Sequence, residues 1–270
     1  MTATSDTRDG APPTPEARYV YAIVPASLGT AAARAQGEHT VETVAVEGLA
    51  AIVGPVPDED RGRDLSDPAE LAWLERRARA HDTIVSAVAA VGPTVPVRFG
   101  VALPDVAAVS ALLGRHAARI HGELERIAGA AEWSLRIRRD PDAARSAPVT
   151  AADDGGGGGA AYLRRRSVQR TADEQRRSRV EQAVGDAHAR LASLAREAAA
   201  LPPPRLGEGD EARVFHGAYL VDESTRPAFH ATTEAVAETL LTVGLRTELA
   251  GPLAPHHFVR VDLGAQGESA

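Results

Sequence analysis

The sequence predicts an α+β fold of two domains, each a mainly antiparallel sheet with helices on one face, the second of them ferredoxin-like. Three observations carry this expectation. Short β-branched and aromatic runs such as Tyr19–Val24 alternate with long amphipathic segments. The dipeptide Glu47-Gly48 separates two apolar runs by the two-residue spacing of a hairpin. From Trp133 onward, strand and helix signals follow one another in the order strand, helix, strand, helix, strand.

Taken in order, residues 1–17 are rich in Thr, Pro, Asp and Gly and read as a disordered leader. Tyr19–Val24 is a strand closed by Pro25, and Thr40–Val46 and Leu49–Val56 form the hairpin. Asp67-Pro68-Ala69-Glu70 places a capping carboxylate, a proline at the first helical position and a glutamate three residues after the cap. The helix that follows carries Leu71, Leu74, Ala78, His81, Val85 and Val88 on one seam, and Gly92-Pro93 stops it. Thr94–Phe99 returns as a short strand. A second helix from about Pro104 stripes Val106, Val109, Leu113, Ile120, Leu124 and Ile127, ends at Gly129, and leads into the strand Glu132–Arg138.

Residues 140–160 lose periodicity and end in five consecutive glycines, the composition of a flexible insertion. A long helix is expected over Ala161–Ala200, stopped by Pro202-Pro203-Pro204, then a strand Ala212–Val221, a helix Pro227–Val243 and two strands, Leu245–Leu249 and His256–Val261. The expected domains are 18–129 and 130–264, with the glycine-rich insertion inside the second and a disordered tail over 265–270.

Composition removes several kinds of chemistry. The 270-residue chain has no Cys, so thiolate nucleophiles, thiolate zinc sites and disulfides are absent. Its thirty basic residues are all Arg, which removes the phosphate-loop lysine, the Schiff-base lysine and the Ser-Lys dyad. A formal net charge of −7 argues against general nucleic-acid affinity. No run is apolar and long enough to span a membrane, and residues 1–18 lack the apolar core of a signal peptide, so a cytoplasmic protein is expected.

Among candidate sites, His81-Asp82 invites a metal-dependent phosphohydrolase reading, yet His81 sits on the apolar seam, where an interior hydrogen-bonded histidine is expected instead. His116 and His121 are five residues apart on a helix, and His256 and His257 point to opposite faces of a strand, so neither pair chelates. Gly155–Gly159 has no leading strand and no following Lys, which leaves a linker and not a phosphate cradle. No Gly-x-Ser-x-Gly elbow occurs, and no cofactor is expected. Residues 164–179 hold seven arginines, Arg164, Arg165 and Arg166 among them, against Asp173 and Glu174. That is a formal +5, which leaves −12 on the remainder. The segment suits docking of an acidic partner or, more plainly, a solvated helix face; without an aromatic platform it does not suit nucleic acid.

Several segments, in order, resemble the gas vesicle GvpL/GvpF family. They are the strand Tyr19–Val24 with Leu49–Val53; the His81-Asp82 helix leading into Val95-Pro96-Val97-Arg98-Phe99-Gly100, similar to Pro-Leu-Arg-Phe-Gly; Ala161-Tyr162-Leu163-Arg164; Ala218–Asp222; and Gly251-Pro252-Leu253-Ala254-Pro255-His256-His257-Phe258-Val259, similar to Gly-Pro-Trp-Pro-Pro-Tyr-x-Phe-Val. Leu253 and His256 stand where the family has Trp and Tyr. The resemblance implies a two-domain α+β protein, needed in gas vesicle formation, that binds the small hydrophobic shell protein or other vesicle accessory proteins without a cofactor. In that setting His81, Pro96, Arg98, Phe99 and Gly100 are expected to support the first domain. Gly251, Pro252 and Pro255 are expected to set a turn that feeds a strand through Phe258, with Leu253 and His256 as contact candidates.

Overall fold

The computed structural model describes residues 16–35, 39–60, 70–141, 159–202, 213–261 and 263, the side chains of 159–162 and 165 aside. The insertion and leader, the Asp67–Ala69 helix start and the triple proline lie wholly or almost wholly outside the described residues. Among the described ones, contacts define two compact units, one running to Arg126 and taking in Arg260, Val261 and Leu263, the other spanning Ile127–Val259.

In the first unit, strands β1 (Arg18–Pro25), β2 (Glu42–Val46), β3 (Leu49–Pro55), β4 (Val95–Pro96) and β5 (Ala102–Leu103) form one sheet ordered β2-β3-β1-β4, with β5 also on β1. All the pairings are antiparallel. The hairpin turn has φ of 49° at Glu47 and 77° at Gly48, the two positive values that match strand twist in a two-residue loop. Leu49 to Gly54 are buried without interruption, so both faces of β3 are covered. Helix α1 (Ala26–Arg34) begins directly after Pro25, where the sequence predicted only the end of a strand. Ala22, Val24, Ala32, Ala50, Ile52 and Val88 make one core cluster, the last contributed by α2 (Leu71–Ala89). On α2 the expected seam is buried at His81, Val85 and Val88, while Leu71 is 56% exposed and Trp73 and Ile84 are buried as well. Helix α3 (Val106–Ile127) is capped by Asp105, whose carboxylate accepts the Ala108 N–H at 2.7 Å. Val109, Leu113, Ile120, Leu124 and Ile127 of the expected stripe are buried, and Val106 is exposed.

The second unit runs β6 (Ala130–Arg139), α4 (Gly159–Ala192), β7 (Glu197–Ala200), β8 (Arg213–Asp222), α5 (Arg226–Leu241) and β9 (Leu245–Leu253). Its sheet order β7-β8-β6-β9, antiparallel throughout, is that of a ferredoxin-like βαββαβ domain. Strand alternation places Trp133, Leu135, Ile137, Tyr219 and Val221 in one core with Val180, Ala187 and Leu191 of α4 and Phe229, Val236 and Leu240 of α5. Polar Glu132, Ser134, Arg136 and Arg138 occupy the alternate positions of β6.

Two sequence expectations fail here for identifiable reasons. The helix ends at Ala192, not Ala200, and Glu197–Ala200 pairs with Leu220–Gly217 of β8. Ala-rich sequence favours helix locally, and pairing with an unsatisfied strand edge overrides it. Likewise β9 continues through Gly251 and Pro252 to Leu253, whereas His256–Phe258 is a turn and not a strand. Among the described residues β9 pairs only with β6 and is an edge, one of the sheet positions that tolerate proline.

Candidate partner-binding surfaces

The first candidate group is the family-like segment around His81. His81 is buried, 7% exposed, and its Nε2 shares a 2.9 Å hydrogen bond with the Val97 carbonyl, the N–H donating. Its ring packs tilted on Tyr21 at 5.3 Å and edge-on to Phe99 at 5.6 Å. Asp82 is exposed, and no cluster of three or more metal-ligating side chains occurs among the described residues. Pro96 is buried, Arg98 is exposed, Phe99 is half-buried, and Gly100 takes a φ of 90° in the following turn. The half-buried Phe99 thus flanks His81. Nearby, the buried Asp60 carboxylate accepts from Trp73 Nε1 at 2.9 Å and Arg77 Nε at 3.0 Å.

The second group is the segment Gly251–Phe258. Leu253 is half-buried opposite Glu132 in the sheet register, Pro255 and Phe258 are buried, and Gly251 and Pro252 are exposed. Gly251 has a φ of 154° and lies so close to Trp133 that a Cβ would meet the indole at 2.5 Å. Only glycine fits there. Contact candidate His256 is exposed, but His257 is held: its backbone N–H and its Nδ1–H donate to the two oxygens of Glu132 at 3.0 and 2.5 Å. Glu132 is 1% exposed. This hydrogen bond holds His257 above the ordinary histidine value against the opposing effect of burial. Beside it, Ser134 Oγ and His216 Nε2 share a 2.8 Å hydrogen bond, and the His216 ring lies 6.4 Å from that of His257. Burial first, then the positive Arg136 and Arg213, pushes His216 below its ordinary value. The contacts joining Glu132 to His257 span 125 residues. The sequence carries only the polar alternation of β6 as a sign of them.

The third group is the start of α4. Every described residue from Leu163 to Arg179 is exposed, Arg164 and Arg166 included, and the first buried position is Val180. From there α4 is anchored by Val180, Ala187 and Leu191 in the core and by a 2.9 Å hydrogen bond shared between the Tyr219 hydroxyl and His188 Nδ1. Burial pushes the Tyr219 hydroxyl well above its ordinary value, so it stays protonated. At the junction, Arg179, Ala183 and Arg190 of α4 with Val236, Thr239 and Val243 of α5 and the chain after it line a groove of about 230 Å³. Among the described residues no helix is long and apolar enough to cross a membrane.

Two antiparallel sheets and five α-helices among the described residues, with the second unit ferredoxin-like, define an α+β protein of the architecture seen in crystal structures of gas vesicle protein GvpF. That from Anabaena sp. PCC7120 aligns with a TM-score of 0.62 at 18% identity, covering 92% of this chain and 97% of that one. That from Microcystis aeruginosa aligns at 0.59 and 16%, covering 91% and 99%. Gas vesicle protein L from Streptomyces sp. (strain CB03234) is 29% identical over 222 residues, 79% of this chain and 80% of the relative. The family model for gas vesicle synthesis protein GvpL/GvpF matches residues 17–260, and the chain belongs to this family. Membership supports a role in gas vesicle assembly.

Proposed function

We propose that the chain supports gas vesicle assembly without catalysis, in the cytoplasm, by binding the small hydrophobic shell protein or other vesicle accessory proteins. The observation that carries this reading is the GvpL/GvpF match across residues 17–260. The physical need is plain. A shell subunit apolar enough to exclude water from a gas space exposes surface that aggregates before assembly, and a protein that covers or orients it prevents that. Such a task calls for surfaces. The three residue groups described above supply hydrogen-bonded scaffolding and an exposed basic helix, in keeping with binding.

The test is deletion of the gene in a vesicle-forming host, read by buoyancy and electron microscopy. Vesicles are expected to be absent or malformed, and restored by the intact gene. Normal yield and shape in the deletion strain would overturn the reading.

A further inference from the structure

The part of α4 that precedes Val180 is unusual for a helix in a folded domain. Seventeen residues, about 25 Å at 1.5 Å per residue, separate Leu163 from the end of the exposed run at Arg179, and every described one is exposed. A helix in water gains little from propensity alone at this length, since most helical stability in proteins comes from packing an apolar face. Nor is the arm's charge arranged for its own stability. The first turn has no acidic residue, and Arg166 and Arg170 stand four apart as like charges. Arg170 with Glu174 at 3.8 Å offsets only part of this.

We propose that this arm, with the groove at its root, is the docking surface for an acidic amphipathic helix of another gas vesicle protein. The proposal rests on the assembly reading above. Charge argues for the occupant: a segment of +5 on a chain whose remainder carries −12 attracts an acidic partner along one line and repels it elsewhere, which fixes orientation as well as affinity. The groove argues for side chains and against a small molecule. At about 230 Å³ it falls below the roughly 300 Å³ at which ligand pockets begin, yet it takes the apolar ridge of a helix against Ala183, Val236 and Val243. Arg179 belongs to both the arm and the groove rim, so the two adjoin there, and Gln182, Asp186 and Arg190 complete the polar rim. Nucleic acid is a poorer occupant, because the run from 163 to 179 contains no aromatic side chain on which a base could stack. A second copy of the chain also carries −12 outside the arm, and sedimentation separates it from a different acidic partner.

The test uses the full chain immobilised, with the shell protein and each accessory protein of the same host purified and applied singly, at about 50 and 500 mM NaCl. Two variants accompany it: Arg164→Glu/Arg166→Glu/Arg176→Glu, which reverses the arm, and Thr239→Trp, which fills the groove from an exposed position. An accessory or shell protein is expected to bind, at least roughly tenfold more weakly at high salt and after arm reversal. Thr239→Trp is expected to weaken the same complex while leaving the melting temperature unchanged. Binding by a vesicle protein that neither variant alters would overturn the docking surface and leave the assembly reading standing. If no vesicle protein binds the native chain, binding as the basis of assembly falls as well. Salt-sensitive self-association in sedimentation, abolished by arm reversal, would assign the arm to a second copy and overturn the proposal.

Discussion

The two ends of the ferredoxin-like unit handle charge in opposite ways. At Gly251–Phe258 a carboxylate exposed by only 1% is surrounded by donors from a turn 125 residues away, and the chain is held against it. Along Leu163–Arg179 the charges face water from every described residue. A buried charge fixed by hydrogen bonds sets conformation, because removing either partner leaves an unsatisfied group in a dry site. Exposed charges add little to stability and are accessible to another molecule. The same chain thus separates a part that must not move from a part that can bind.

The comparison is broken most severely at Gly251. Gly251→Ala drives a Cβ into the Trp133 indole at a backbone φ that disfavours side chains, so a loss of about 1–3 kcal/mol is expected, with a melting temperature lower by roughly 2–10 °C. An unchanged melting curve would mean that the segment is not held against β6.

Next in size is the pH response of His257. Its folded pKa is raised, so the contribution is fully present below the unfolded value of about 6.5 and is lost as pH rises through the folded value. The groups facing it are Glu132, whose charge it balances, and His216 with Arg136 and Arg213 behind it. His216 is displaced the other way and opposes folding at acid pH. The difference between native protein and Glu132→Gln reports mainly the His257 contribution, for which Glu132 is the first cause, with a smaller effect through His216. Melting temperature in the native chain should fall relative to the variant as pH climbs from about 6.5. Parallel curves across that window would remove the charged pair from the account.

The smallest effect is expected from the arm. Reversing Arg164, Arg166 and Arg176 changes only exposed charge, so stability should shift by less than about 0.5 kcal/mol. A larger drop in thermal unfolding would show that the arm is part of the packed unit.

These two regions also differ in how far their sequences announce them. The arm is legible as a run of arginines with helical neighbours, and the hairpin at Glu47-Gly48 is legible from its spacing alone. Local signals suffice in both cases. β7 is not legible, since Glu-Ala-Ala-Ala reads as helix and becomes strand only because β8 is there to pair with. α1 is hidden for a similar reason: it is nine residues long, starts directly after Pro25 and has no side-chain cap. The Glu132–His257 contact is invisible to any local rule, and His256–Val261, β-like in composition, is bent into a turn that serves it. What chain neighbours decide can be read in advance; what distant partners decide cannot.

The central claim is that this chain supports vesicle assembly by binding through its exposed arm. It is tested most directly by complementing a deletion strain with the Arg164→Glu/Arg166→Glu/Arg176→Glu variant, once its melting temperature and cellular level match those of the native protein. The native gene should restore buoyant cells and the stable arm-reversed variant should not. Full restoration of vesicles by the arm-reversed protein would contradict the account.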